Sequence, residues 1–192
     1  MSKRTINVTN ILKIRSLILA NPQAFDMSDF IDDDLVVEQA EETDLELTGH
    51  DVVEMLIKEP DCGTTACIAG WAITLAHHED PDAYPVFRSM RASGYVRAGM
   101  DYMKLDPWSA LELFFAAKRN EDGETVTQWA LDEITAEEAA EALQHLPDTG
   151  VVDWSHLPRE PIARHRDMAH VFGTSTLVHL GLIPDPQART KG

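Results

Sequence analysis

Cys62 opens the segment Cys62-Gly63-Thr64-Thr65-Ala66-Cys67-Ile68-Ala69-Gly70-Trp71-Ala72, directly after Asp61. A thiol beside the first turn of a helix meets free backbone N–H groups and the positive end of the dipole, both of which favour the thiolate. Cys62 is therefore the candidate nucleophile of a cysteine hydrolase, with His156 or His165 as its base. Metal chemistry is a second use of these residues. Cys62 and Cys67 are followed by His77 and His78, but His77 lies roughly 15 Å from Cys67 along one helix, too far for a common ion. No metal and no cofactor is expected. A Cys62–Cys67 disulfide requires the loop to fold back on the helix and an oxidising compartment. The remaining reading buries both cysteines as small hydrophobes. Ala66, Ala69 and Gly70 then form a smooth face for the close approach of another helix, and Trp71 covers the adjacent core.

The acids form the second candidate site. The formal net charge is −17, which opposes direct binding to nucleic acid and favours basic protein partners. The charge is banded: fourteen acids and one base lie between Asp26 and Asp61, and twelve acids and two bases between Asp106 and Asp153. The first 25 residues and the stretch 154–192 are mildly basic. Asp32, Asp33, Asp34, Glu41 and Glu42 make the densest acidic run, and Trp154, flanked by Asp153 and Ser155, is the candidate anchor for a partner. A solvated acidic surface is the plain alternative. Trp108, Phe114, Phe115 and Trp129 read as core, and His77-His78-Glu79-Asp80 as a polar stretch fit only for adventitious metal.

The elements that must position these residues are mostly helical. Asn7 to Ala20 carries a broad apolar stripe and ends at Asn21-Pro22, because the residue before proline avoids the helical region. Residues 45–57 read either as a short strand or as a helix capped by Thr48. Thr64 or Thr65 is the expected cap of a helix through His78, ended by Asp80-Pro81. Two helices are expected at 83–92 and 95–104, and Asp106-Pro107 opens another. After a turn at 120–123, Thr135 and Glu138 form a capping box for a helix to Leu146, closed by Pro147 to Gly150. Val151 to Trp154 is a short extended piece or loop, with weak helices at 160–171 and 175–180 and a frayed tail from Pro184. The fold class is mainly α: a single compact helical domain with at most a minor β element, near 45–53 or 151–154.

Asp61-Cys62-Gly63 resembles the active-site opening of papain-like and bacteriocin-processing cysteine peptidases. Those enzymes imply an oxyanion-hole glutamine before the cysteine, absent from 54–59, and a sheet that the helical reading does not supply. A longer match is available. Cys62 to Ala72, with Phe25-Asp26-Met27 before it and Leu113-Phe114, Ile134 to Ala140 and Asp153-Trp154 after it, resembles a family of small bacterial and phage proteins. That resemblance spans about residues 8–154, leaves 155–192 as a C-terminal extension, and implies a phage or mobile-element setting without assigning catalytic residues. The function expected from charge and setting is a non-enzymatic interaction protein. It binds a basic host protein, such as a nucleic-acid-binding defence complex, by imitating phosphates. The cysteine hydrolase is the alternative, and a virion or assembly component, which a stable homo-oligomer in solution would favour, is the third. With no apolar run near 18 residues and no signal peptide, the expected location is the cytoplasm and no membrane is engaged.

Overall fold

The computed structural model describes residues 6–31, 47–60, 64–86, 90–120, 126–165 (His165 by its backbone) and 168–185. Helix α1, Val8–Ala20, begins where the Asn7 side chain accepts from the Asn10 N–H and ends at Asn21, before Pro22. It buries Ile11, Ile14 and Ile18, one stripe at helical spacing. Helix α2, Gly49–Lys58, resolves the choice at 45–57. Thr48 and Asp51 cap it reciprocally, and Val52, Val53 and Leu56 face inward.

Helix α3, Ile68–Glu79, is the hub, buried along Ile68 to Thr74 and again at Ala76 and His77. A helix apolar on every side must be surrounded, and α3 touches α1, α2, α4 (Ala92–Met103) and α5 (Pro107–Phe114). The N-cap of α3 is Cys67, not Thr64 or Thr65. The expected cap fails because Thr65 and Ala66 are extended and bonded to the chain that follows α1. Phe25 and Ala66 form a parallel bridge, Ala66 N–H donates to Ala24 O at 3.0 Å, and Cys67 N–H donates to Asp29 O at 3.0 Å. The small face of α3 therefore receives the backbone of the loop that follows α1 rather than another helix. At Gly70 a Cβ would stand 1.6 Å from the Phe30 carbonyl oxygen.

Among the described residues a single helix, α4, occupies the region where two were expected, and Ala83 to Val86 is a turn and loop after the α3 C-cap at Asp80. Asp106 caps α5 by accepting from the N–H groups of Trp108 and Ser109. Helix α6, Ala136–Thr149, carries the Thr135–Glu138 capping box and buries Ala139, Ala142, Leu143 and Leu146. It continues through Pro147, because a proline in the last turn forfeits one bond near an end that is already open. Gly150 closes it at φ +78°. α1 lies along α6, where Arg15 Nε donates to Ala140 O at 3.2 Å.

The minor β element lies at neither expected place. Strands β1 (Ala117–Arg119), β2 (Val126–Gln128) and β3 (Ala163–His165) form one antiparallel sheet in that order, with Lys118 opposite Thr127 and Thr127 opposite Arg164. Short helices α7 (Met168–Phe172) and α8 (Thr174–His179) follow β3. Residues 155–185 are built into the common core through Leu157, Phe172 and Leu177. Among the described residues the protein is mainly α, with eight α-helices and this small sheet.

Candidate functional site

Cys62, Asp32, Asp33, Asp34, Glu41 and Glu42 lie outside the described residues, as does the side chain of His165. The neighbouring thiol is described. Cys67 is 2% exposed at the start of α3, where the backbone N–H groups of Gly70 and Ala69 favour its thiolate. Burial outweighs those donors and pushes the thiol up to about 11. Cys67 thus behaves as a packed small hydrophobe. In a Cys62→Ser variant, native Cys67 should react with a thiol reagent roughly two to three orders of magnitude more slowly than the denatured chain. Comparable rates in the two states would overturn its burial.

The candidate base His156 is committed elsewhere. Its Nε2 donates to Glu138 O at 3.2 Å and its ring stacks on Trp154. The Arg159 guanidinium closes the same corner, donating to Glu138 Oε2 at 2.7 Å and to Glu133 O at 2.7 Å. Burial opposes the charge on Glu138, but the bonds from Arg159 and Thr135 prevail and hold its carboxyl below the usual range. Trp154 does not reach the surface as the expected anchor. It is fully buried, with Nε1 donating to Glu112 O at 3.0 Å. Two apolar neighbours in the sequence, Val152 and Leu157, carry it inward. Phe114 and Trp129 are core as expected, while Trp108 is half-buried with the Arg119 guanidinium 4.1 Å from its ring centroid.

The site that sequence reasoning missed is at the C-terminal end of α3, where His77, His78 and Glu79 each tie the hub to a different neighbour. His77 is 5% exposed; its Nδ1 lies 2.8 Å from Tyr84 O and its Nε2 lies 2.8 Å from His50 Nδ1 on α2. His78 Nδ1 is 2.8 Å from Glu54 Oε1 on α2. Glu79 accepts from Tyr102 on α4 at 2.9 Å and pairs with Lys13 on α1. The bond from Lys58, then that from His78, holds Glu54 down to about 2. Burial and the Glu79 carboxylate both push the Tyr102 hydroxyl up, so it remains a donor.

The proton positions in the histidine pair follow from its ends. A carbonyl only accepts, so neutral His77 carries its proton on Nδ1 and presents a bare Nε2. His50 must then donate from Nδ1, which leaves its own Nε2 unprotonated. His50 is an exposed residue at the end of this carbonyl–imidazole–imidazole chain. The spacing of His50 and Glu54, four apart on one helix face, and the His-His-Glu run were the only signals available.

No group of three or more His, Cys, Asp or Glu among the described residues could hold a metal ion, and no described helix is long and apolar enough to cross a membrane. The described Lys13, Lys58, Lys104, Lys118, Arg119 and Arg159 each pair with an acid of the same chain. Asp80, Asp82, Asp132, Glu137, Glu141 and Asp148 remain exposed. The chain matches no family model, no characterised protein and no solved structure.

Proposed function

We propose that this chain is a non-enzymatic acidic interaction protein of phage or mobile-element origin that binds a basic host protein. Its sharpest form is an inhibitor that occupies the nucleic-acid-binding groove of a host defence complex. One observation carries the reading: the net charge is −17, and Asp80, Asp82, Asp132, Glu137, Glu141 and Asp148 are exposed. Such a surface steers encounter with a positive partner and sets specificity by complementary potential. The phage setting rests on the motif resemblance from Cys62 to Ala72.

The test is capture of partners from host lysate on the intact protein, with elution by a salt gradient. A single basic partner released sharply at moderate salt is the expected result, since screening weakens exposed charge pairs. Neutralising Asp32, Asp33, Asp34, Glu41 and Glu42 together to Asn and Gln should weaken that partner about tenfold or more, each charge contributing a small share. Unchanged affinity in the five-fold variant would remove the acidic run from the interface.

A further inference from the structure

We infer that the outward face of α1 docks a second copy of this chain, the two α1 helices packing antiparallel about a two-fold axis beside residue 14. The inference is independent of the proposed function, because it uses a face to which α1 contributes no acid.

α1 carries two stripes. Ile11, Ile14 and Ile18 make the one that is buried in the core. On the opposite side Thr9, Leu12, Ser16 and Leu19 recur at steps of three, four and three, the spacing of a helix-packing seam. Thr9, Ser16 and Leu19 are exposed and Leu12 is half-buried. Among the described residues only four large apolar side chains are exposed, and two of them, Val8 at 40% and Leu19 at 38%, belong to this side of α1. A groove of about 620 Å³ runs between the seam and α3, with Leu17 and Leu75 among its walls. A second helix laid on the seam would fill it.

The order of sizes along the seam names the occupant. Reversing α1 about residue 14 sets Leu12 against Ser16 and Thr9 against Leu19. Each leucine then meets a small hydroxyl residue, and the two surfaces interdigitate. A two-fold contact demands such self-complementarity of one surface, whereas a foreign helix does not. Ser16 Oγ donates to Leu12 O within its own helix at 2.9 Å, so covering it strands no donor. Charge selects the same occupant. A chain of net charge −17 repels its copy wherever acids face each other, but residues 1–25 contain no acid. Of the two cations of α1, Lys13 is matched by Glu79, and Arg15 is held toward α6 by its bond to Ala140 O. Two copies meeting here keep their acidic surfaces apart.

The test is sedimentation equilibrium of the full chain under reducing conditions. The expected result is a monomer–dimer equilibrium half-complete at about 10 µM, a strength suited to one small helix–helix interface. Added NaCl should tighten it several-fold, since salt screens the repulsion between the acids elsewhere. Leu19→Glu, at an exposed position that the fold does not need, should weaken it about tenfold or more, because the seam would cover an unpaired carboxylate. Register is read by cross-linking. Thr9→Cys and Leu19→Cys chains, each in a Cys62→Ser background, are mixed in equal amounts and oxidised. The mixed disulfide should form nearly all of the cross-linked product, against about half for random pairing, because only residues brought close can be bridged. A chain that stays monomeric, a dimer that salt dissociates, a Leu19→Glu variant that dimerises like wild type, or self-paired disulfides would each overturn the assignment.

Discussion

Gly70→Ala is expected to cost about 3 kcal/mol or more of unfolding free energy, read as a lower urea midpoint at unchanged slope. The helix itself gains from the change, since alanine is preferred over glycine by about 1 kcal/mol in a helix interior. The surroundings lose more. The new Cβ would stand 1.6 Å from Phe30 O and 2.8 Å from the Ala66 Cβ. The first obstacle is backbone, so no rotamer change relieves it. The segment from Ala24 to Phe30 must withdraw, and the bonds that hold it, Ala66 N–H to Ala24 O and Cys67 N–H to Asp29 O, are lost or stretched. Gly150→Ala is the control. It has nothing within 4 Å of the added atom and only its φ of +78° to oppose it, so about 1 kcal/mol is expected. Equal costs at the two positions would mean that α3 and this loop do not meet at Gly70.

That contact explains why the most informative stretch of the sequence was read correctly in kind and wrongly in detail. Ala66, Ala69 and Gly70 announce a close backbone approach, because small residues at helical spacing have no other common use. Their spacing says nothing about what approaches. A non-helical loop from about forty residues earlier satisfies the same steric demand as a helix, and only the Phe25–Ala66 bridge distinguishes the two. Local signals served better elsewhere. Asp106 with Pro107 and Thr135 with Glu138 each set a helix start by bonds made within three residues, and both starts are present, whereas Thr48 left strand and helix open at 45–57 and the helix is what forms. The sheet was invisible for the opposite reason. Its strands are three residues long, carry no alternating pattern, and β3 joins β2 across more than thirty residues, so nothing in either segment announces the other. The histidine junction shares that character. His50 and His77 are unremarkable in their own helices, and their partnership depends on the way α2 crosses α3.

Trp154→Ala should cost about 4 kcal/mol, the usual loss for a buried large aromatic, and should leave partner affinity unchanged when both proteins are folded. The side chain is 0% exposed and its Nε1 donates to Glu112 O. Removal therefore opens a cavity and also orphans a carbonyl next to the Glu112–Arg119 ion pair. Trp154→Phe separates the two terms. It fills most of the volume, and the cost that remains reflects mainly the missing donor, about 1–2 kcal/mol. The sequence reading made Trp154 a partner anchor because Asp153 and Ser155 flank it. Those polar neighbours are explained otherwise: Ser155 N–H and Oγ both donate to the Asp153 carboxylate, and Lys118 approaches the same group. Their polarity is spent within that turn and does not mark the indole as exposed. A variant that kept its stability but lost its partner would restore Trp154 to the surface. A variant that loses stability and keeps its partner leaves recognition to the acidic faces.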